Sequence, residues 1–225
     1  MCGRFNVIDN PELQRLLQQL GIDLALPSRS NIAPTETIAM VRQSSSEREL
    51  AAVRWWLTPA WAKQVDQKYA MFNARSETIA TSRAFAEPFK SRRGIVPMSS
   101  FIEWRKEGSV KQPYLIAAVD QALAVAAVWE RWQGDDHSIE SCALLTTAAA
   151  PEFEPFHKRM PVVLRQEDTE RWLDPHFTVA VNDPIFTPQL SSPLRVQPLG
   201  VAVNNARKKE LDLLQPISEG VLLAD

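Results

Sequence analysis

The second residue of the chain is a cysteine, in Met1-Cys2-Gly3-Arg4-Phe5. Removal of the initiator methionine leaves an α-amine and a thiol on one residue, a pair that no internal position offers. In model compounds the amine titrates at about 7.7–8.0 and the thiol at about 8.5. Near neutral pH a useful share of each is nucleophilic, whereas a lysine amine at about 10.4 is almost wholly protonated. Such a 1,2-aminothiol condenses with an aldehyde, and the sulfur can then close a thiazolidine ring. On its own, a small residue at position 2 is common and carries no function. Three further segments stand apart from ordinary core or turn sequence: Phe72-Asn73-Ala74-Arg75-Ser76-Glu77-Thr78, Phe101-Ile102-Glu103-Trp104 and Phe156-His157-Lys158-Arg159-Met160-Pro161.

The elements that must position these segments are mostly strands. Alternation predicts strands at Thr37–Gln43 and Leu50–Leu57, joined by the turn Ser44-Ser45-Ser46-Glu47. Further strands are expected at Gly94–Pro97, Phe101–Arg105, Tyr114–Val119, Leu123–Trp132 and Ile139–Thr147, read as an antiparallel meander. Asn10 and Pro11 open a helix over residues 10–21, with Leu13, Leu16, Leu17 and Leu20 on one face. Short helices are expected at Thr81–Phe89, at Asp168–Leu173 with Asp168 as cap, and at Arg207–Leu214, where Arg207-Lys208-Lys209 reads as a solvated helix end. Trp55, Trp56 and Trp129 are expected in the core. The pattern gives an α+β fold, a mainly antiparallel, strand-rich core (barrel-like or a bifurcated sheet) with peripheral short helices. No linker divides the chain, so one domain over residues 1–225 is expected.

Composition narrows the function. The 225 residues are 45% hydrophobic and 23% charged, in the range of globular proteins. No apolar run is long enough to span a bilayer, and no apolar leader opens the chain, so a cytoplasmic protein without membrane contact is expected. Cys2 and Cys142 lack zinc-type spacing and do not make a disulfide framework. No metal and no cofactor are expected. The formal net charge of −2 means that nucleic-acid binding would need a local basic patch.

In their order along the chain, the four segments resemble the SRAP family (SOS response-associated peptidase), whose members process abasic sites in DNA. The resemblance extends through Asn31-Ile32-Ala33-Pro34, Trp55, Pro59-Ala60-Trp61, Glu103-Trp104, Leu145–Ala149, His157–Leu164, Val203-Asn204-Asn205 and Leu214-Gln215-Pro216. It implies that Cys2 attacks the aldehyde of an opened abasic sugar, with Asn73, Glu103 and His157 as the other catalytic residues. His157 suits proton transfer, since an unperturbed imidazole titrates near 6.5. Glu103 can take the amine proton or assist ring opening, and Asn73 can hold the sugar through donor and acceptor contacts. Arg4, Arg75 and Arg159 would grip phosphates, and Trp61 would stack on a base. Pro34, Trp104 and Thr147 complete the expected DNA-binding set. Read singly, Asn73 is a turn or cap residue, Glu103 a strand face, and His157 the end of a helix begun near Pro151.

The expected partner is single-stranded DNA containing abasic sites, bound by a monomer that associates with the nucleoid when on DNA. The family name also implies self-cleavage that releases the residues before Cys2. Two other classes fit the same residues: a thiol peptidase with Cys2 as nucleophile and His157 as base, and a non-catalytic module that reads modified bases. The reading requires that Cys2, Asn73, Glu103 and His157 converge, and that Arg4, Arg75 and Arg159 form a basic groove.

Overall fold

The structure, a computed structural model, describes residues 3–44 and 47–224. The chain begins with β1 (Phe5–Val7), α1 (Pro11–Gln19) and β2 (Arg29–Ile32), followed by the hairpin β3 (Thr37–Gln43) and β4 (Arg48–Trp55). Next come β5 (Asn73–Arg75), α2 (Ala86–Ser91), β6 (Arg93–Met98), β7 (Ser100–Glu107) and β8 (Val110–Ala118). The long strands β9 (Leu123–Gln133) and β10 (Ser138–Ala148) precede β11 (Arg159–Pro161), α3 (Gln166–Leu173), β12 (Leu194–Pro198) and β13 (Val221–Leu223). Of the turn expected at residues 44–47, Ser45 and Ser46 lie outside the described residues. No helix among the described residues is long and apolar enough to cross a membrane.

The strands form two sheets. One runs in the order β13-β12-β8-β7-β1-β2. The other runs β10-β4-β3-β6-β9, and β9 pairs back onto β10, so five strands close into a ring that β5 and β11 extend along β10. The expected meander is therefore divided. β7 and β8 pair in the first sheet, β9 and β10 in the second, and the chain changes sheets at Asp120-Gln121. The ring closes through β4 and β10, which run parallel, with Cys142 opposite Trp55.

Core side chains from both sheets join one apolar cluster, which includes Phe5, Trp55, Phe101 and Leu144. Trp55 is fully buried, meets the Phe5 ring edge-on at 5.1 Å, and donates from Nε1 to the Phe72 carbonyl at 2.8 Å. Edge-to-face pairs of this kind contribute roughly 0.5–1.5 kcal/mol beyond the area that they bury. Trp56 and Trp129, expected in the core, are only half-buried. Trp56 lies against Phe72, and the Arg42 guanidinium covers the Trp129 ring at 4.2 Å.

The helices depart from the expected bounds for local reasons. Asn10 caps α1 as expected, its Oδ1 accepting from the Leu13 amide at 2.9 Å. The helix expected at 81–89 begins at Ala86, because Pro88 has no N–H and is tolerated only in a first turn. α3 starts at Gln166, so Asp168 lies inside it and pairs with Arg171 instead of capping. Over 207–214 only the 3-10 turn Leu211–Leu214 forms. Lys209 is exposed there, and its ammonium donates to the Asn31 carbonyl at 2.8 Å and pairs with Glu36.

Candidate functional site

β1 and β7 run antiparallel, with Phe5 opposite Phe101 and Asn6 opposite Ser100. The Ile102 amide donates to the Arg4 carbonyl at 2.9 Å, which carries the pairing one residue further. Buried Asn6 fixes this register. Its Nδ2 donates to Ser100 Oγ at 2.9 Å, and its Oδ1 accepts from the Asn31 amide on β2 at 2.7 Å. Alternation then sorts β7 into two faces. Phe101 and Glu103 face the main core, while Ile102 and Trp104 face a small cluster with Leu199, Val203 and Leu214.

Glu103 is 3% exposed. Burial pushes its carboxyl above the ordinary carboxylate value, against the opposing pull of nearby His157. A carboxyl that holds its proton more tightly than usual, beside an imidazole, is placed to exchange protons with it. His157 follows not a helix but a run of turns from Pro151 to Phe156. Its Nδ1 lies 3.0 Å from the Arg159 amide and 2.9 Å from the Arg159 carbonyl oxygen. A bare Nδ1 accepts from the amide, and a protonated Nδ1 donates to the carbonyl. The ring therefore keeps its hold through a change of protonation.

Asn73 is buried on β5, which lies parallel to β10 with Asn73 opposite Leu144 and Arg75 opposite Thr146. Arg159 links that strand to His157. Its guanidinium donates to Thr146 O at 2.6 Å and to both carboxylate oxygens of Glu77 at 2.6 and 3.0 Å. Burial alone would raise the Glu77 carboxyl, but the Arg159 hydrogen bonds and charge more than offset it and hold it below the ordinary value. The fork that a phosphate would use on Arg159 is thus occupied by Glu77.

The remaining expected DNA-binding residues occupy several neighbourhoods. The Arg4 guanidinium lies 5.8 Å over the Trp104 ring, with the Glu36 charge acting on it. Trp104 donates from Nε1 to Asn204 Oδ1 at 2.7 Å. Arg75 is exposed on β5, and Pro34 is half-buried in the loop after β2. Trp61 is 51% exposed, covered on one side by the Arg83 guanidinium at 4.2 Å. Thr147 is buried and donates to the Phe186 carbonyl at 2.7 Å. Cys2 lies outside the described residues.

Asn31, of the Asn31-Ile32-Ala33-Pro34 segment, also shapes this region. Asn31 is fully buried in the left-handed region, at φ 51°. Its Nδ2 donates to the carbonyls of Val203, Asn205 and Lys208 at 3.1, 3.0 and 3.1 Å. This contact holds the Val203-Asn204-Asn205 segment over Trp104. An asparagine before Ile-Ala-Pro was the available signal, since Asn tolerates this backbone better than most residues.

The model of the family described as SOS response associated peptidase (SRAP) matches residues 1–206. Abasic site processing protein YoqW of Bacillus subtilis is 34% identical over 201 residues, which cover 86% of this chain and 87% of YoqW. Abasic site processing protein YedK of Escherichia coli is 30% identical over 234 residues, covering 96% of this chain and all of YedK (100%). A crystal structure of a protein from Bacteroides thetaiotaomicron superposes with a TM-score of 0.78 over 96% of this chain and 100% of that one; at 22% identity this likeness shows the fold. The family match takes in the strands and turns that bring Glu103 to His157, and the chain belongs to the SRAP family.

Proposed function

We propose that this protein processes abasic sites in single-stranded DNA by forming a covalent thiazolidine crosslink between Cys2 and the opened sugar. The observation that carries the reading is the buried Glu103, its carboxyl pushed up by burial, beside His157 and on the strand that pairs with β1. The names of the relatives, abasic site processing proteins, support the same substrate.

The chemistry balances as follows. With Met1 removed, the neutral α-amine of Cys2 adds to the sugar aldehyde. The carbinolamine takes a proton on its hydroxyl from the Glu103–His157 pair and loses water, and its nitrogen returns a proton to the pair, leaving a Schiff base. The thiol then adds its sulfur to the imine carbon, and its proton passes to the nitrogen. Asn73 orients the sugar through both ends of its amide. Hydrolysis of the bond before Cys2, the act that the family's peptidase name suggests, would expose the amine. The whole chain acts as one unit and as a monomer. Trp61, Trp104, Pro34 and the arginines at 4 and 75 serve the DNA path, while Thr147 and Arg159, bonded to Phe186 and Glu77, shape its wall from within the protein.

An abasic oligonucleotide on a denaturing gel tests the reading, with protein shown by intact mass to lack Met1. The parent protein is expected to give an adduct without reductant. Cys2→Ala is expected to give one only with borohydride, because its amine still forms the imine but no sulfur closes the ring. Cys142→Ala should match the parent, since burial pushes that thiol up and it carries no neighbouring amine. A reductant-independent adduct from Cys2→Ala would refute the thiazolidine step.

A further inference from the structure

His157 and Glu103 sit on separate parts of the chain, and a run of rings joins them. Phe101 lies two residues before Glu103 and therefore on the same face of β7. Its ring is 6.0 Å from Phe153, and Phe153 is 6.1 Å from Phe156, the residue before His157. On the other side, the Phe156 ring meets Tyr114 edge-on at 5.3 Å. Tyr114 stands directly opposite Glu103 in the β7–β8 register, so the two side chains are neighbours on one face. The path from Glu103 to His157 is thus closed twice, through Phe101 and Phe153 and through Tyr114.

Tyr114 is itself held at its far end. Its hydroxyl accepts from Arg105 Nη2 at 2.7 Å and donates to Glu107 Oε1 at 2.5 Å. The Arg105 guanidinium lies 4.9 Å from the Tyr114 ring and 5.1 Å from the Phe156 ring, covering both. Ring faces attract such a cation, so Arg105 fastens the pair together. We propose that Tyr114 is a positioning residue: through its contact with Phe156, under the cover of Arg105, it sets the placement of His157 against Glu103. The inference rests on the proposed crosslinking reaction for its consequence, though not for its geometry. The ring is the working part, and the hydroxyl only anchors it.

The test compares Tyr114→Phe with Tyr114→Met, which fills similar volume without a ring. Single-turnover adduct formation on an abasic oligonucleotide should slow by roughly 10- to 100-fold in Tyr114→Met, the scale expected when a reacting group is misplaced by about 1 Å. Its dissociation constant for the same oligonucleotide should stay within about twofold of the parent, and Tyr114→Phe should keep a rate within about threefold. A parental rate in Tyr114→Met would overturn the proposal. So would a Tyr114→Phe rate as low as that of Tyr114→Met, which would assign the role to the hydroxyl. A second readout does not depend on the reaction. The chain has three histidines, and nuclear magnetic resonance of their rings should show the His157 signal moved or broadened in Tyr114→Met alone. If the parent protein forms no adduct, the proposed function fails, while an unchanged His157 signal in Tyr114→Met still decides against the positioning role.

Discussion

Replacing Asn31 probes the contact that ties the start of the chain to its last third. In Asn31→Ala the carbonyls of Val203, Asn205 and Lys208 lose their shared donor. The amide has two N–H groups, so about two net hydrogen bonds disappear, at roughly 1 kcal/mol each, with some further cost for acceptors left dry. Alanine must also adopt φ 51°, which costs about 1–2 kcal/mol more. The sum is about 3–5 kcal/mol. At roughly 2–4 °C per kcal/mol for a chain of this size, the melting temperature should fall on the order of 10 °C. Asn31→Gly removes the same bonds but accepts the backbone, so it should recover about 1 kcal/mol. Calorimetry ranks the three proteins, and hydrogen exchange should speed up in both variants over residues 203–209. An alanine variant as stable as the glycine variant would refute the backbone argument. One within about 1 kcal/mol of the parent would refute the hydrogen-bond argument.

Glu103→Gln should gain stability as it loses adduct formation. The folded protein holds the Glu103 proton more tightly than the unfolded chain, so the carboxyl favours folding below about pH 4.5 and loses that contribution as pH rises through the folded value. The variant should match the parent at pH 4 and melt higher at pH 8, by an energy of about 1.4 kcal/mol for each unit of elevation; equal melting at pH 8 would count against a buried, raised carboxyl. Arg93 is 3% exposed and donates to the carbonyls of Phe89, Lys90, Trp172, Asp174 and Phe177, gathering the ends of α2 and α3. Arg93→Met should cost about 4 kcal/mol or more in urea unfolding, and Arg93→Lys should recover little, because an ammonium cannot fork to five acceptors.

The strand content was legible because alternation is local. β3 has the expected bounds at Thr37–Gln43, and β9 begins at the expected Leu123. Which strands pair was not legible. The parallel contact of β4 with β10 joins residues almost ninety positions apart, and no local pattern encodes it. Tertiary contacts also overrode local propensity. Arg207–Leu214 reads as helical, yet the Lys208 carbonyl turns to Asn31 and only the 3-10 turn Leu211–Leu214 forms. At the site, Glu103 and His157 were named from motif order, and their proximity follows from β7 and from the Phe156 ring. The partners of the arginines were less visible. Nothing in the spacing of Glu77 and Arg159 announces that they meet, because β5, β10 and β11 must first lie side by side.

The pairing of β1 between β2 and β7 also has a consequence in time. The ribosome delivers β1 about a hundred residues before β7. At roughly 5–20 residues per second, that interval lasts about 5–20 s. During it β1 has only β2 as a partner, and a two-stranded ribbon is marginal in water. Residues ahead of β1 therefore emerge well before Glu103 and His157 are made. Until β7 is made, β1 lacks the register that Asn6 and Ser100 later fix between the two strands.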